Sequence, residues 1–270
     1  DPVPAAVAGK LGDDGVSVSS GSVDLLRGHA DLHGEVTWAP VQRWTVSGSA
    51  TGIDPGEWRP DLPGSLDFGV AMSGRGFKAG DPISVTVAGL GGRLRGVAAS
   101  GGGRLGHAGD TWTFQQIRVG LGRTRLALDG QIDRTADLRF AVTAQDLSLL
   151  SAGARGRVQA SGTIRGPLAS PDVLASAQGA DILYDGVSLA GFTARVDFDP
   201  TSQRRSAIDA HLRQLRLNRR VVHSMDFTLE GPASAASAHL DIQAPGLHLA
   251  AAASGGFRSG AFSGQLESLA

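Results

Sequence analysis

Residues 180–191 read "ADILYDGVSLAG", and the way this stretch folds decides the architecture. Asp185-Gly186 is a favoured two-residue hairpin turn, because both positions tolerate the positive φ of a type I′ turn. If Tyr184 pairs with Val187, Ile182 pairs with Leu189 and all four side chains share one face. Phe192, Ala194, Val196 and Phe198 then follow on even positions, with a phase slip at Ala190-Gly191 that reads as a bulge or bend. Upstream, "GTIRGPLASPDVLASAQG" (162–179) is strand, a break at Gly166-Pro167 and Pro171, and strand again. Helix is limited there by Gly179, so "SPDVLASAQGA" reads as strand.

The same period of two recurs along the chain. Leu138, Phe140, Val142 and Ala144 alternate with Asp137, Arg139, Ala141 and Thr143. Leu66, Phe68, Val70 and Met72 line up, as do Leu126, Leu128, Gly130 and Ile132. Phe227 and Leu229 follow Met225, and Leu240 precedes Ile242. One dry face and one wet face is the signature of antiparallel sheet; parallel strands covered on both sides would show continuous apolar runs. Asn218-Arg219 and Pro245-Gly246 read as further hairpin turns, and Gly101–Gly103 and residues 199–206 as longer loops. The expectation is all-β: an elongated antiparallel meander of roughly 15 strands at the short spacing such folds use.

Composition narrows what such a meander can do. Hydrophobic residues are 41% of the 270 but aromatics only 5%, so the dry face is smooth and aliphatic. That favours an open trough over a sandwich with an aromatic centre. The 39 glycines follow no collagen period. A formal net charge of −1 offers no basic surface for nucleic acid. No cysteine is present, which removes disulfides, thiolate metal sites and cysteine nucleophiles. No apolar run reaches the ~18–20 residues of a membrane-spanning helix. With no initiating Met and an end inside a strand-like pattern, the chain reads as a piece of a longer protein.

Chemistry is sparse. His29 and His33 are four apart, roughly 13 Å along a strand and too far for one metal ion. "GRGFKAG" (74–80) resembles a dinucleotide loop but is followed by a strand where a helix is required, so it reads as a plain loop. Asp13, Asp14, Asp129, Asp133 and Asp137 fall at turns and on wet faces, not converging as hydrolase carboxylates must. The arginines at 204, 205, 213, 216, 219 and 220 form the densest basic stretch, a solvated face or a rim for lipid headgroups. No cofactor, metal or catalytic residue is expected, and the chain is not expected to be an enzyme.

Several stretches resemble the TamB family, the translocation and assembly module protein of Gram-negative envelopes. These are "GHADLHGEVTWAP" (28–40) with residues 44–74, "IRVGLGRTRLALDGQIDRTADLRFAVTAQDLSLL" (117–150), residues 157–199, and "GPASAASAHLDIQAPGLHLAAAASGGFRSGAFSGQLESL" (231–269). They occur in the order expected of a middle segment, as approximate units 1–75, 76–150, 151–206 and 207–270. Phe262 departs from the pattern, standing where a tryptophan is expected.

The resemblance implies a β-taco, a sheet curled into a U around an apolar groove. It also implies a periplasmic protein anchored in the inner membrane by a segment outside this chain, meeting a TamA-like outer-membrane barrel and conducting phospholipid acyl chains. A scaffold or chaperone role in outer-membrane protein assembly is the alternative. The groove positions expected are Leu126, Leu128, Leu138, Phe140, Val142, Ile182, Tyr184, Val196, Phe198, Phe227, Leu229, Leu240 and Ile242. The plainer reading makes them ordinary core packing.

Overall fold

The computed structural model describes residues 5–78, 80–151, 153–201, 204–218, 220–258 and 261–270, with backbone alone at 257, 258, 261 and 262. Those residues are all-β, with 18 strands against the roughly 15 expected, two single 3₁₀ turns and no α-helix. They divide into two compact units, 1–133 and 134–270. The four repeat units expected from the sequence concern periodicity, which this division into compact units leaves untouched.

The first unit holds β1 (Ala5–Leu11), β2 (Gly15–Leu25), β3 (Gly28–Thr37), β4 (Arg43–Ile53), β5 (Gly64–Arg75), β6 (Ile83–Leu94), β7 (Val97–Ala108), β8 (Thr111–Leu121) and β9 (Thr124–Ile132). The second holds β10 (Thr135–Ala144), β11 (Arg155–Pro167), β12 (Asp172–Tyr184), β13 (Val187–Phe198), β14 (Ser206–Leu217), β15 (Arg220–Gly231), β16 (Ala236–Ala244), β17 (Leu247–Arg258) and β18 (Ala261–Leu269). Within each unit every strand pairs antiparallel with the next in the chain, giving an open, curled meander.

The hairpins are those the turn residues dictate. Asp185 (φ 48°) and Gly186 (φ 77°) close β12 on β13, with Tyr184 opposite Val187 and Ile182 opposite Leu189, as the dipeptide predicts. Pro245-Gly246 joins β16 to β17, pairing Ala244 with Leu247. At the 218–219 turn Arg219 lies outside the described residues, while Leu217 pairs with Arg220. The expected loop at 74–80 begins inside β5, since Gly74 and Arg75 are paired residues; Ala79 lies outside the described residues. The loop after Phe198 is present, with residues 202 and 203 outside the description.

Gly101–Gly103 corrects the expectation. They lie inside β7, with Gly101 opposite Leu90 on one side and Val119 on the other. A triple glycine reads as loop because glycine weakens strands, yet here Leu90 Cδ2 and the backbone of Arg118 fill the space a Cβ at Gly101 would need.

The slip at Ala190-Gly191 is one point on a crease. Asp181 in β12 and Gln214 in β14 take positive φ, both 54°, at the same level of the sheet. In the first unit Gly52 (β4), Gly89 (β6), Gly103 (β7) and Gln116 (β8) also take positive φ within strands, each beside a register shift. Carboxylates secure two of these places. Asp67 accepts from the Gly52 amide at 2.8 Å, and Asp129 accepts from the Gln116 amide at 2.6 Å while pairing with Arg118. Asp129, expected to be merely solvated, therefore holds a bulge in shape.

Candidate functional site

Tight burial is rare in this protein. The chain exposes 16621 Å², against about 11,000 Å² expected for a compact protein of 27.6 kDa. Among the described residues, the close backbone approaches between strands within a unit run chiefly between sheet neighbours. The two faces nevertheless differ. Along β11, Val158, Ala160, Gly162 and Ile164 are half-buried while Arg157, Gln159, Ser161 and Arg165 are exposed. Along β5, Leu66, Phe68, Val70 and Met72 are half-buried while Ser65, Asp67, Ala71 and Ser73 are exposed. A flat single layer would shelter neither face, so this asymmetry is what a sheet curled toward its apolar side produces.

In the second unit the register assembles that side into rows that cross the strands. One row runs Phe140, Gly162, Ala175, Val196, Ile208, Leu229 and Ala238. Beside it runs Val142, Ala160, Ala177, Ala194, Ala210, Phe227, Leu240 and Ala251. Over β11–β13 these two rows are almost wholly glycine and alanine. Larger side chains flank them: Ile164, Val173 and Phe198 on one side, Val158, Phe192 and Leu212 on the other. The outcome is a trough with a low floor and taller aliphatic or aromatic banks. The Phe192 ring lies across Gly179, where a Cβ would collide with it, and Ile182 Cδ1 crowds the same side.

The expected groove positions fall as follows. Leu138, Phe140, Val142, Val196, Phe198, Phe227, Leu240 and Ile242 are half-buried on the apolar face of the second unit. Leu229 is 3% exposed, packed as a core residue is. Ile182 stands beyond the crease, and Tyr184 is 55% exposed at the hairpin end. Leu126 and Leu128 belong to the first unit, opposite Val119 and Ile117. In that unit the corresponding face carries Val46, Met72, Val85, Leu105 and Phe114 in one row. Trp44 closes its end, stacked on Phe77 with ring centroids 6.4 Å apart and lying over Gly74.

The opposite face is polar and carries clamps that sequence reading passed over. Arg204 reaches Asp172 and Asp197, both at 2.7 Å, tying the loop after β13 to β12. Part of the basic stretch is thereby spent on structure, and Arg219 lies outside the described residues. His29 sits between Asp24 and Asp31, whereas His33 shares a hydrogen bond with Ser47. His211 on β14 bridges Asp226 (2.5 Å) and Asp209 (3.0 Å). Asp226 directly faces Asp241 across β15–β16, and His248 binds Asp241 at 2.6 Å. Two like charges opposite one another destabilise a sheet; here a histidine offsets each. No group of three or more such residues among those described is arranged to hold a metal ion.

This arrangement carries a pH signature. The Asp226 hydrogen bond raises the His211 pKa above its ordinary 6.5, and Asp24 does the same for His29. A group whose folded pKa is raised contributes stability fully below its unfolded value, and loses it as pH climbs through the folded value. The denaturant midpoint of the wild type is therefore expected to fall between pH 6 and pH 8.5, and to fall less in a His29→Gln/His211→Gln variant. Equal slopes for the two proteins would show the clamps to be inert.

No helix among the described residues is long and apolar enough to cross a membrane. Neither curated proteins nor solved structures yield a match. A family model described as the TamB N-terminal domain matches residues 1–270, where the resemblance pointed to a middle segment. The side chain of Phe262, the one noted departure, lies outside the described residues. With the whole of its length matched by that model and an antiparallel meander in each unit, the chain belongs to the TamB family of envelope proteins, with a TamB-like role in the translocation and assembly module.

Proposed function

We propose that this chain is a periplasmic segment of a TamB-like bridge between the inner and outer membranes, and that its apolar trough carries phospholipid acyl chains. The observation that supports this is the long apolar face left half-exposed along β5 and β11. Exposing a 16-carbon chain to water costs on the order of 12 kcal/mol at ~0.8 kcal/mol per methylene. An aliphatic floor recovers most of that, and the open side keeps the headgroup wet. A floor of near-identical small residues holds a chain about equally well at each step, whereas a deep pocket with convergent polar groups would trap it. The chain acts as a conduit and not as a catalyst. On this reading the bridge is anchored in the inner membrane and meets a TamA-like barrel at the outer membrane.

Lipid identity and contact are both measurable. An organic extract of the purified chain is expected to yield phospholipid by mass spectrometry. A photoreactive residue at position 140 is expected to crosslink to phospholipid in cells. A lipid-free extract, together with crosslinks from the exposed edge strand β1 to nascent outer-membrane barrels, would favour the scaffold reading instead.

A further inference from the structure

A second site lies on the polar face of the first unit, away from the trough. In the register of β4 and β5, Arg43 stands directly opposite Arg75. Like charges directly opposite one another in such a pair destabilise a sheet. Among the described residues neither guanidinium has an ion-pair or hydrogen-bond partner. Glu35, opposite Thr45 on β3, is not within ion-pair distance of either. The two arginines border a shallow open pocket of about 390 Å³ that no carboxylate lines.

Trp44, Pro82, Ile83 and His107 also line it, and a row of hydroxyls crosses it. Thr45, Ser73 and Ser84 follow one another across β4, β5 and β6, and Thr113 lies in the same row beyond Gly106 on β7. The Thr113 hydroxyl leans across Gly106, occupying the place its Cβ would take. Two guanidiniums bring planar forks of N–H donors suited to tetrahedral oxyanions, and the hydroxyls add donors that adapt by rotation.

We infer that Arg43 and Arg75, with the hydroxyl row of Thr45, Ser73, Ser84 and Thr113, form a binding site for a phosphate group. An oxyanion between the arginines converts their repulsion into two charge-assisted contacts. The shared chemistry is a phosphate oxyanion, whether free or in a lipid headgroup.

Calorimetric titration of the purified chain at low ionic strength tests this, with two probes: inorganic phosphate, and a short-chain phosphatidylglycerol below its micellar concentration. Saturable millimolar binding is expected, weakened ~10-fold or more in Arg43→Gln and in Arg75→Gln. Arg139→Gln, an exposed arginine of the second unit, should bind as wild type does. Binding of phosphate alone identifies a free anion as occupant, and binding of the lipid alone identifies a headgroup; either upholds the site if the Arg43 and Arg75 variants lose it. Phosphate should also raise the melting temperature of the wild type and leave that of the double variant unchanged. Absence of saturation with both probes, or an equal loss in Arg139→Gln, overturns the site.

Discussion

If the trough carries acyl chains as proposed, Phe227→Asp is expected to remain folded and to yield less lipid. Phe227 lies in the trough row between Ala210 and Leu240, half-buried. A carboxylate there keeps its water, so the fold gives up only the partial burial of one ring, about 1–2 kcal/mol. For a passing acyl chain the change is larger: a hydrated charge stands in the path and must be stripped or skirted. Lipid recovered in the organic extract should fall by at least an order of magnitude while the circular dichroism spectrum is retained. Leu229→Asp, two residues on, separates fold from function. Leu229 is 3% exposed, so an unpaired charge there is buried and the sheet should open. Undiminished lipid in folded Phe227→Asp would take that position out of the path.

Gly48→Val is expected to lower stability substantially. Gly48 faces Leu32 across β3–β4, and a Cβ on it would overlap the Asp31 carbonyl oxygen and press on the Leu32 methyl. The first of these is backbone held in a ladder, so relief requires the two strands to part. Overpacking of this kind costs typically 1–3 kcal/mol and occasionally more. The neighbouring cluster of Ala30, Ala50 and Ile53, the best-packed apolar group of the first unit, would be disturbed with it. A denaturant midpoint within error of wild type would mean that the strands separate freely at this point.

Much of this architecture was legible because its main signal is local. Alternation at Leu138–Val142 and the Asp185-Gly186 turn depend on residues within a few positions of one another, and the structure reproduces both. What escaped depends on register between strands. Gly101–Gly103 read as a loop, since nothing in those three residues reveals that Leu90 and Arg118 lie beside them. Alanines at 160, 177, 194 and 210 look unremarkable one by one, and become a floor only when four strands align. The His211–Asp226 clamp was recoverable: counting back from the 218–219 turn puts the two directly opposite. The Arg43–Arg75 pair was harder, because the connection between their strands is ten residues long, 54–63, and fixes no register.

That the described strands within each unit pair with the strand made just before and the strand made just after has a consequence for how such a sheet is produced and varied. A chain threaded across a membrane from one end need not wait for its distant half; each new strand finds its template already in place, and the sheet can zip as it emerges. The same adjacency makes length a modular property, so a hairpin added or removed would lengthen or shorten the sheet by a fixed step and leave the remaining turns undisturbed.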